Sequence, residues 1–198
     1  MKFLIGNHSR VKMVVLGVIA ALLSGMPLAS TRAAAAERPV APERNPPGDI
    51  PDSQAFVTYV SPLGFSLQVP EGWARTDRSD GTRFADKYNA IDATVGPAPA
   101  APTTASVTDH EATAFVKAGR AVKIDAIRTV KVASGPAIRI TYSSNSEPNA
   151  VTGKQLRLEH HRYLIYRSGR LATIDLAAPL GADNADQWNH IANSFRWQ

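Results

Sequence analysis

The 198-residue chain contains no cysteine. Disulfide bonds, thiolate metal sites, a cysteine nucleophile and a lipid-modified cysteine are therefore excluded. A domain without such cross-links must be held together by its hydrophobic core. A domain of roughly 130 to 150 residues can bury about two thirds of the surface that its unfolded chain exposes, so one self-supporting domain is expected.

The sequence also lacks the patterns of common catalytic sites. It has no GxSxG nucleophile elbow, no glycine-rich phosphate loop and no paired carboxylates at helical spacing. Serine, histidine and aspartate occur only as scattered residues, and the order of the strands does not evidently assemble them. We predict no catalytic residue and no cofactor, and a hydrolase is the least favoured class of function.

Metal-binding patterns are missing too. His110 and Glu111 begin like a zinc-protease helix, but Ala114 stands where the second histidine ligand is needed. His160 and His161 are neighbours, and neighbouring side chains on a strand point to opposite faces. Only a β-bulge could turn both toward one ion. We therefore predict no metal site.

Residues 1–36 have the pattern of an export signal. Basic residues precede an apolar run over 13–29, and small residues that suit cleavage after Ala35 or Ala36 follow. The alternative is an uncleaved membrane anchor, because the run reaches the short end of the ~17 to 25 residues that span a bilayer. We predict an exported protein of the cell envelope or the extracellular space, which contacts the membrane only if this segment is retained.

The strongly basic character of the chain belongs mostly to this segment. Cleavage after Ala36 removes four cations and no acid, so the formal charge falls from +5 to +1. The cations that remain are scattered rather than clustered, which gives no basic patch of the kind that binds phosphate backbones. We predict no nucleic-acid partner.

Three segments are predicted to lie outside regular structure. Residues 37–54 contain five prolines and no apolar periodicity, which predicts a disordered tether ahead of a single domain over 55–198. Two loops inside the domain, GPAPAAPTT and SSNSEPN, are candidate interaction surfaces because they are rich in small and polar residues. The candidate contact residues in these loops are Pro97, Pro99, Pro102, Asn145, Glu147 and Asn149.

The rest of the chain alternates between strand and helix patterns. In GFSLQVPEGW, apolar residues alternate up to a Pro-Glu-Gly turn, which predicts a hairpin whose return strand begins at Trp73. Thr108 and Glu111 have the spacing of a capping box at the start of a helix that Gly119 closes. A second amphipathic helix is predicted over 183–195.

The final hairpin turns at Ser168-Gly169. This turn places Arg162 opposite Asp175 in a pair that we expect to be exposed. Leu158 and Tyr163 have opposite parity, which predicts a bulge near His160. The order of the elements predicts an α+β fold in which helices pack on the faces of an antiparallel sheet.

From Phe56 to Trp197 the chain resembles the PsbP/Mog1-like family, and in particular its exported actinobacterial branch of LpqN-type lipoproteins. The stretches that carry the resemblance are GFSLQVPEGW, RFADKYNAIDATVGPA, SGPAIRITY, YRSGRLATIDLAAP and WNHIANSFR. The resemblance implies an antiparallel sheet between helices, a function in binding and no shared catalytic residues. The chain lacks the lipidated cysteine of the LpqN-type proteins.

Two functions follow as hypotheses. The first is an exported, noncatalytic interaction or accessory protein of the cell envelope, whose partner is an envelope or extracellular protein. The alternative is a binder of a small apolar or lipid-like ligand, in a pocket between sheet and helix lined by Trp73, Tyr163 and Trp188.

Overall fold

Antiparallel strands make up most of the molecule. The structure is a computed structural model that describes residues 37–198, so the predicted export signal lies outside the described residues. The strands are β1 (Phe56–Ser61), β2 (Phe65–Pro70), β3 (Ala74–Arg78), β4 (Gly81–Asp86), β5 (Asn89–Pro97), β6 (Lys123–Val132), β7 (Gly135–Asn145), β8 (Arg157–Arg167), β9 (Arg170–Pro179) and β10 (Arg196–Trp197). Helical segments are α1 (Thr104–Ser106), a π-helical turn (Val107–Ala112), α2 (Thr113–Ala118) and α3 (Ala185–Ser194).

The strands form two sheets. A seven-stranded sheet has the order β3-β4-β5-β9-β8-β7-β6, and a three-stranded sheet has the order β1-β2-β10. Helix α3 and the small sheet cover one face of the large sheet, while the helical segments over 104–118 lie on its other face. The predicted α+β fold, with helices on an antiparallel sheet, is confirmed.

Both faces of β8 are buried over residues 163–165. Tyr163 and Ile165 of β8 belong to the larger core cluster beneath α3, and Leu164 belongs to a smaller cluster beneath the helix over 104–118. The register of β8 with both neighbours is continuous. The predicted bulge near His160 is therefore wrong, because a strand buried on two faces needs no correction of parity.

The Pro-Glu-Gly turn joins two sheets rather than the two arms of a hairpin. Gly72 has the predicted positive φ, +86°. However, β2 pairs with β1 and β10, whereas β3 pairs with β4 in the large sheet. The predicted hairpin is wrong because the chain crosses between layers at this corner.

The first helical segment starts earlier than the sequence pattern suggested. Its N-cap is Thr103, whose hydroxyl accepts a hydrogen bond from the Ser106 amide while the Thr103 amide donates to Ser106 Oγ. The predicted capping box of Thr108 and Glu111 is wrong, since Glu111 lies in the π-helical turn and faces Arg162 instead. Gly119 ends the helix with φ +100°, as predicted.

Residues 37–52 form an N-terminal strap along the domain. Two buried asparagines hold the strap by its backbone. The Asn145 side chain accepts from Val40 N and donates to Arg38 O, and the Asn184 side chain accepts from Ile50 N and donates to Gly48 O. Ile50 is buried in the main core.

The prediction of a disordered tether over 37–54 is therefore wrong. A proline-rich segment cannot join a ladder through its prolines, but these side-chain amides bond to four of its other backbone groups. All described residues belong to one compact unit. Among residues 37–198, none of the helices has the length and apolar character that crossing a membrane requires.

Candidate functional site

The predicted loop residues lie in different environments. Pro97 and Pro99 are exposed, and half-buried Pro102 lines a cleft of about 290 Å³ together with Leu164 and Tyr166. Asn145 is not a loop residue: it ends β7, is buried and holds the strap. Its role as an interaction residue is a wrong prediction, because the apparent loop SSNSEPN begins inside a strand.

The other two residues of that loop are engaged locally. Glu147 is exposed and forms an ion pair with Arg120. The Asn149 side chain accepts hydrogen bonds from the amides of Val151 and Thr152, both at 3.0 Å, and so stabilises a turn.

The three residues proposed to line an apolar pocket are packed into the core. Tyr163 and Trp188 are buried in the main core cluster, and half-buried Trp73 packs against the same cluster. Trp188 meets the edge of the His161 ring at 4.8 Å. Neither the cleft at Pro102 nor the polar cavity of about 510 Å³ contains any of the three in its lining.

A polar cavity opens on the face of the large sheet that the helix over 104–118 covers only in part. Its volume is about 510 Å³, and strands β4, β5, β9 and β8 form its floor. The two middle strands, β5 and β9, contribute two aspartates that lie between pairs of small residues, and charged and aromatic side chains of the outer strands surround them. We call this surface the polar face; its members are Arg78, Asp80, Arg83, Tyr88, Ala90, Asp92, Thr94, Tyr142, Leu158, His160, Arg162, Thr173, Asp175 and Ala177.

An ionic row crosses four adjacent strands of the polar face. Arg83 stands opposite Asp92, Asp92 opposite Asp175, and Asp175 opposite Arg162. Two carboxylates directly opposite each other on neighbouring strands repel. Here each carboxylate is paired at its outer side: Asp92 with Arg83 and with Arg78, and Asp175 with Arg162. The row is therefore electrically balanced along its length.

Asp175 is the most heavily bonded residue of the row. Its Oδ2 accepts from the Tyr142 hydroxyl at 2.5 Å and from Arg162 Nη1 at 3.1 Å, and its Oδ1 lies 3.0 Å from His160 Nδ1. Burial alone would raise its pKa, but the bond and charge of His160 and the charge of Arg162 outweigh burial and lower the pKa to about 2. Asp175 is therefore ionised in the folded protein.

Arg162 and Tyr142 remain protonated beside it. Burial would lower the pKa of Arg162, yet the charges of Asp175 and Glu111 raise it. Burial and the Asp175 carboxylate both raise the pKa of Tyr142. The Arg162 guanidinium also donates to Glu111 at 2.9 Å and lies 4.7 Å from the ring centre of Phe115, so it is fixed from several sides. The predicted cross-strand pair is confirmed, but its expected exposure is wrong.

Ser144, His160 and Asp175 form a hydrogen-bonded series that sequence reasoning did not foresee. His160 Nδ1 faces Asp175, and His160 Nε2 lies 2.9 Å from Ser144 Oγ. The order matches that of a Ser–His–Asp catalytic triad. The expectation that the strands do not assemble these residue types is wrong, since β7, β8 and β9 are adjacent and present them on one face.

The surroundings of Ser144 do not fit acyl transfer. Ser144 is only 7% exposed and is absent from the lining of the polar cavity, whereas His160 and Asp175 belong to it. It lies within a regular strand, paired with Leu158, so its amide belongs to the ladder rather than to an oxyanion hole. The hydrogen bond therefore serves to orient His160, whose ring also stacks on Tyr142 at 4.3 Å.

The side chains of His160 and His161 do not converge on one site. Within residues 37–198, no group of three or more histidine, aspartate or glutamate side chains has an arrangement that could hold a metal ion. His160 and His161 point to opposite faces of the sheet, the first toward Asp175 and the second toward Trp188.

The sequence contained a partial signal for the polar face. In β5, Ile91 and Ala93 face the core, while Ala90, Asp92 and Thr94 alternate with them on the other face. That small and polar parity indicates an open surface, but the pairing of β5 with β9, which brings Asp92 to Asp175, depends on strands about 80 residues apart in the chain.

Comparisons with known proteins give evidence for the fold. No family model matches the chain, and no curated protein sequence matches it. The solution structure of cyanobacterial PsbP (CyanoP) from Synechocystis sp. PCC 6803 is similar, with a TM-score of 0.55 and 14% identity over 76% of this chain and 98% of that one. The Ran-binding protein Mog1p of Saccharomyces cerevisiae has a TM-score of 0.50 and 11% identity, over 73% of this chain and 96% of its own.

A further solved structure is that of LpqN, which is involved in cell envelope biogenesis of Mycobacterium tuberculosis. Its TM-score is 0.44 and its identity 17%, over 72% of this chain and 88% of that one. The similarity to CyanoP and Mog1p extends over nearly the full length of both proteins and matches the sheet and helix arrangement described above. The chain therefore has the PsbP/Mog1-like fold.

Proposed function

We propose that this protein is an exported, noncatalytic interaction or accessory protein of the cell envelope, and that the polar face is its binding surface. The observation that carries the proposal is the open cavity of about 510 Å³ above a fixed ionic row. Binding sites are concave, largely pre-formed and equipped with a few well-placed polar groups. Export is supported by the pattern of residues 1–36.

The burial of Ser144 supports binding rather than catalysis. A strongly shifted pKa in a cleft marks a candidate functional residue, and Asp175 is held ionised by hydrogen bonds and charges. An ionised aspartate suits a Ser–His–Asp triad as well as a binding site, so access to the serine distinguishes the two. The nucleophile that would complete the series, Ser144, is covered.

The alternative of a small apolar ligand has less support. It needs an open apolar cavity beside Trp73, Tyr163 and Trp188, whose rings fill or border the core instead. The cleft at Pro102 is a second candidate surface.

Affinity capture from the native envelope tests the proposal. The baits are the wild-type chain, the double variant Arg78→Glu/Arg83→Glu on the polar face, and the control Arg128→Glu/Lys131→Glu at two exposed positions of edge strand β6. We expect the polar-face variant to lose partners that the wild type and the control retain. Equal recovery by all three folded baits would contradict a binding role for the polar face.

A further inference from the structure

We propose that the polar face binds an oxyanion group, a carboxylate or a phosphate, of a small ligand, with Arg83 and Arg162 as donors on opposite sides of the cavity. The inference rests on the proposed function, since it names the chemistry that the same surface recognises. Strand order separates the two arginines by Asp92 on β5 and Asp175 on β9.

The space for the ligand comes from small side chains. Ala90 lies directly opposite Ala177, and Thr94 lies opposite Thr173, so two rows of short side chains flank the ionic row on the strands between the arginines. A volume of about 510 Å³ falls within the range of small-molecule sites, roughly 300 to 1,000 Å³.

The two aspartates on the middle strands of the cavity are already engaged as acceptors. Asp175 accepts hydrogen bonds from Tyr142 and Arg162 and contacts His160. Asp92 accepts from Arg78 on one oxygen and from Arg83 on the other. Asp80, at the rim, is 68% exposed and lies 3.9 Å from Arg78. A cationic ligand would compete with arginines for Asp92 and Asp175 and would find its accessible carboxylate at the rim.

The arginines, by contrast, retain unused donors. Each guanidinium carries five N–H groups, roughly fifteen in total for Arg78, Arg83 and Arg162. Four of them are hydrogen-bonded to carboxylates within the described residues. Hydroxyl groups of Tyr88, Thr94 and Thr173 add to the lining. The unused capacity of the arginines is for a ligand that accepts hydrogen bonds.

Geometry, rather than net charge, then selects the ligand. Three arginines and three aspartates line the cavity, so their formal charges cancel and attract no ion over long distances. Guanidinium groups nevertheless match carboxylate and phosphate oxygens in planar, paired hydrogen bonds. Arg162 is held by Glu111, Asp175 and the Phe115 ring, which reduces the ordering needed when a ligand binds.

An NMR titration of the chain with inorganic phosphate and with acetate tests this inference, with methylammonium as the cationic probe. We expect saturable shifts with the oxyanions, localised to the polar face. Arg83→Gln should weaken the oxyanion affinity about tenfold, since one charged hydrogen bond is lost. The matched control Arg128→Gln should change it less than twofold. Arg83 is nearly half exposed, so its variant is expected to fold, and its circular dichroism is recorded first.

Two further binding measurements distinguish a soluble ligand from a lipid as the source of the oxyanion group. Glycerol 1-phosphate represents a soluble ligand, and vesicles of phosphatidylglycerol, compared with phosphatidylcholine, represent a lipid head group. Binding to glycerol 1-phosphate or to the phosphatidylglycerol vesicles supports the inference if Arg83→Gln reduces it. The probe that binds then identifies the source of the group. Saturable binding of methylammonium, oxyanion affinity unaffected by Arg83→Gln, or no saturable oxyanion binding overturns it. The proposed function would survive that result if envelope capture still depended on Arg78 and Arg83.

Discussion

Asp175 joins three side chains of the polar face, and its removal should separate them. Asp175→Asn keeps the shape but leaves the Arg162 guanidinium, which is only 23% exposed, with one carboxylate partner instead of two. Removing one partner of a largely buried ion pair typically destabilises the folded protein by ~3 to 5 kcal/mol. We expect the free energy of unfolding to fall by an amount near the lower end of this range, because Glu111 still pairs with Arg162. Urea unfolding at pH 7 measures it, with Asp125→Asn as the surface control. A loss below about 1 kcal/mol would contradict the described network.

The same residue predicts how stability depends on pH. The folded pKa of Asp175, about 2, lies below its ordinary value of ~3.9. Its contribution is therefore fully present above pH ~4 and is lost as pH falls toward 2, by roughly 2 to 3 kcal/mol. Unfolding free energies measured between pH 5 and pH 2 should fall less steeply in Asp175→Asn than in the wild type. Equal slopes would show that Asp175 has an ordinary pKa.

Ser144 provides a test of the noncatalytic interpretation. A fluorophosphonate probe labels serines that a histidine activates and that a substrate can reach. Since Ser144 is covered and lies in a paired strand, we expect no label by intact-mass measurement after prolonged incubation. Label that disappears in Ser144→Ala and persists in Ser143→Ala would establish a reactive serine and contradict our interpretation.

At the scale of elements, the N-terminal strap is expected to stabilise the domain. Deleting residues 37–52 uncovers the Ile50 site and leaves Asn145 and Asn184, each 2% exposed, without their backbone partners. An unsatisfied buried polar group costs ~1 to 3 kcal/mol, and one kcal/mol corresponds to ~2 to 4 °C for a domain of this size. The melting temperature should fall by at least about 5 °C.

A matched deletion gives the control for the strap. Removing exposed Pro99 and Ala100 from the loop before α1 should change the melting temperature by less than about 2 °C, because loop length alone contributes little. If the strap deletion were as mild as this one, the strap would be a tether after all. If the loop deletion abolished partner capture, the binding surface would lie at this loop, GPAPAAPTT.

Local patterns in the sequence predicted many elements but not how they meet. Alternation identified β2, and the Ser168-Gly169 turn correctly set Arg162 opposite Asp175. The strap was missed because its order comes from two asparagines more than a hundred residues away. The crossover at Gly72 was missed because a turn has the same local signal whether or not its strands pair.

The candidate site was harder to predict for the same reason. Asp92 and Asp175 become neighbours only through the pairing of β5 with β9, and Ser144 meets His160 only through the pairing of β7 with β8. Composition and spacing contain no information on these long-range registers when one sequence is considered alone. The polar face is formed only when distant strands pair, whereas the loop GPAPAAPTT could be proposed from residues that are adjacent in the chain.

In the whole molecule, the two faces of the large sheet have different roles. One face is covered by α3 and the small sheet and forms the main core. The other is covered over part of its area by the helix at 104–118, which leaves the polar face open beside it. A partner or ligand should therefore contact β4, β5, β8 and β9 and spare the opposite side of the molecule.

Site-specific photo-crosslinking in the native envelope shows which face of the molecule contacts the partner. A photoreactive phenylalanine analogue replaces Tyr88 at the rim of the polar face, and in a second variant it replaces Val151, which is 92% exposed and does not line the cavity. We predict that ultraviolet light links the variant at position 88 to a partner, and that the variant at position 151 gives no such product. Crosslinks to a partner from position 151 and none from position 88 would contradict binding at the polar face.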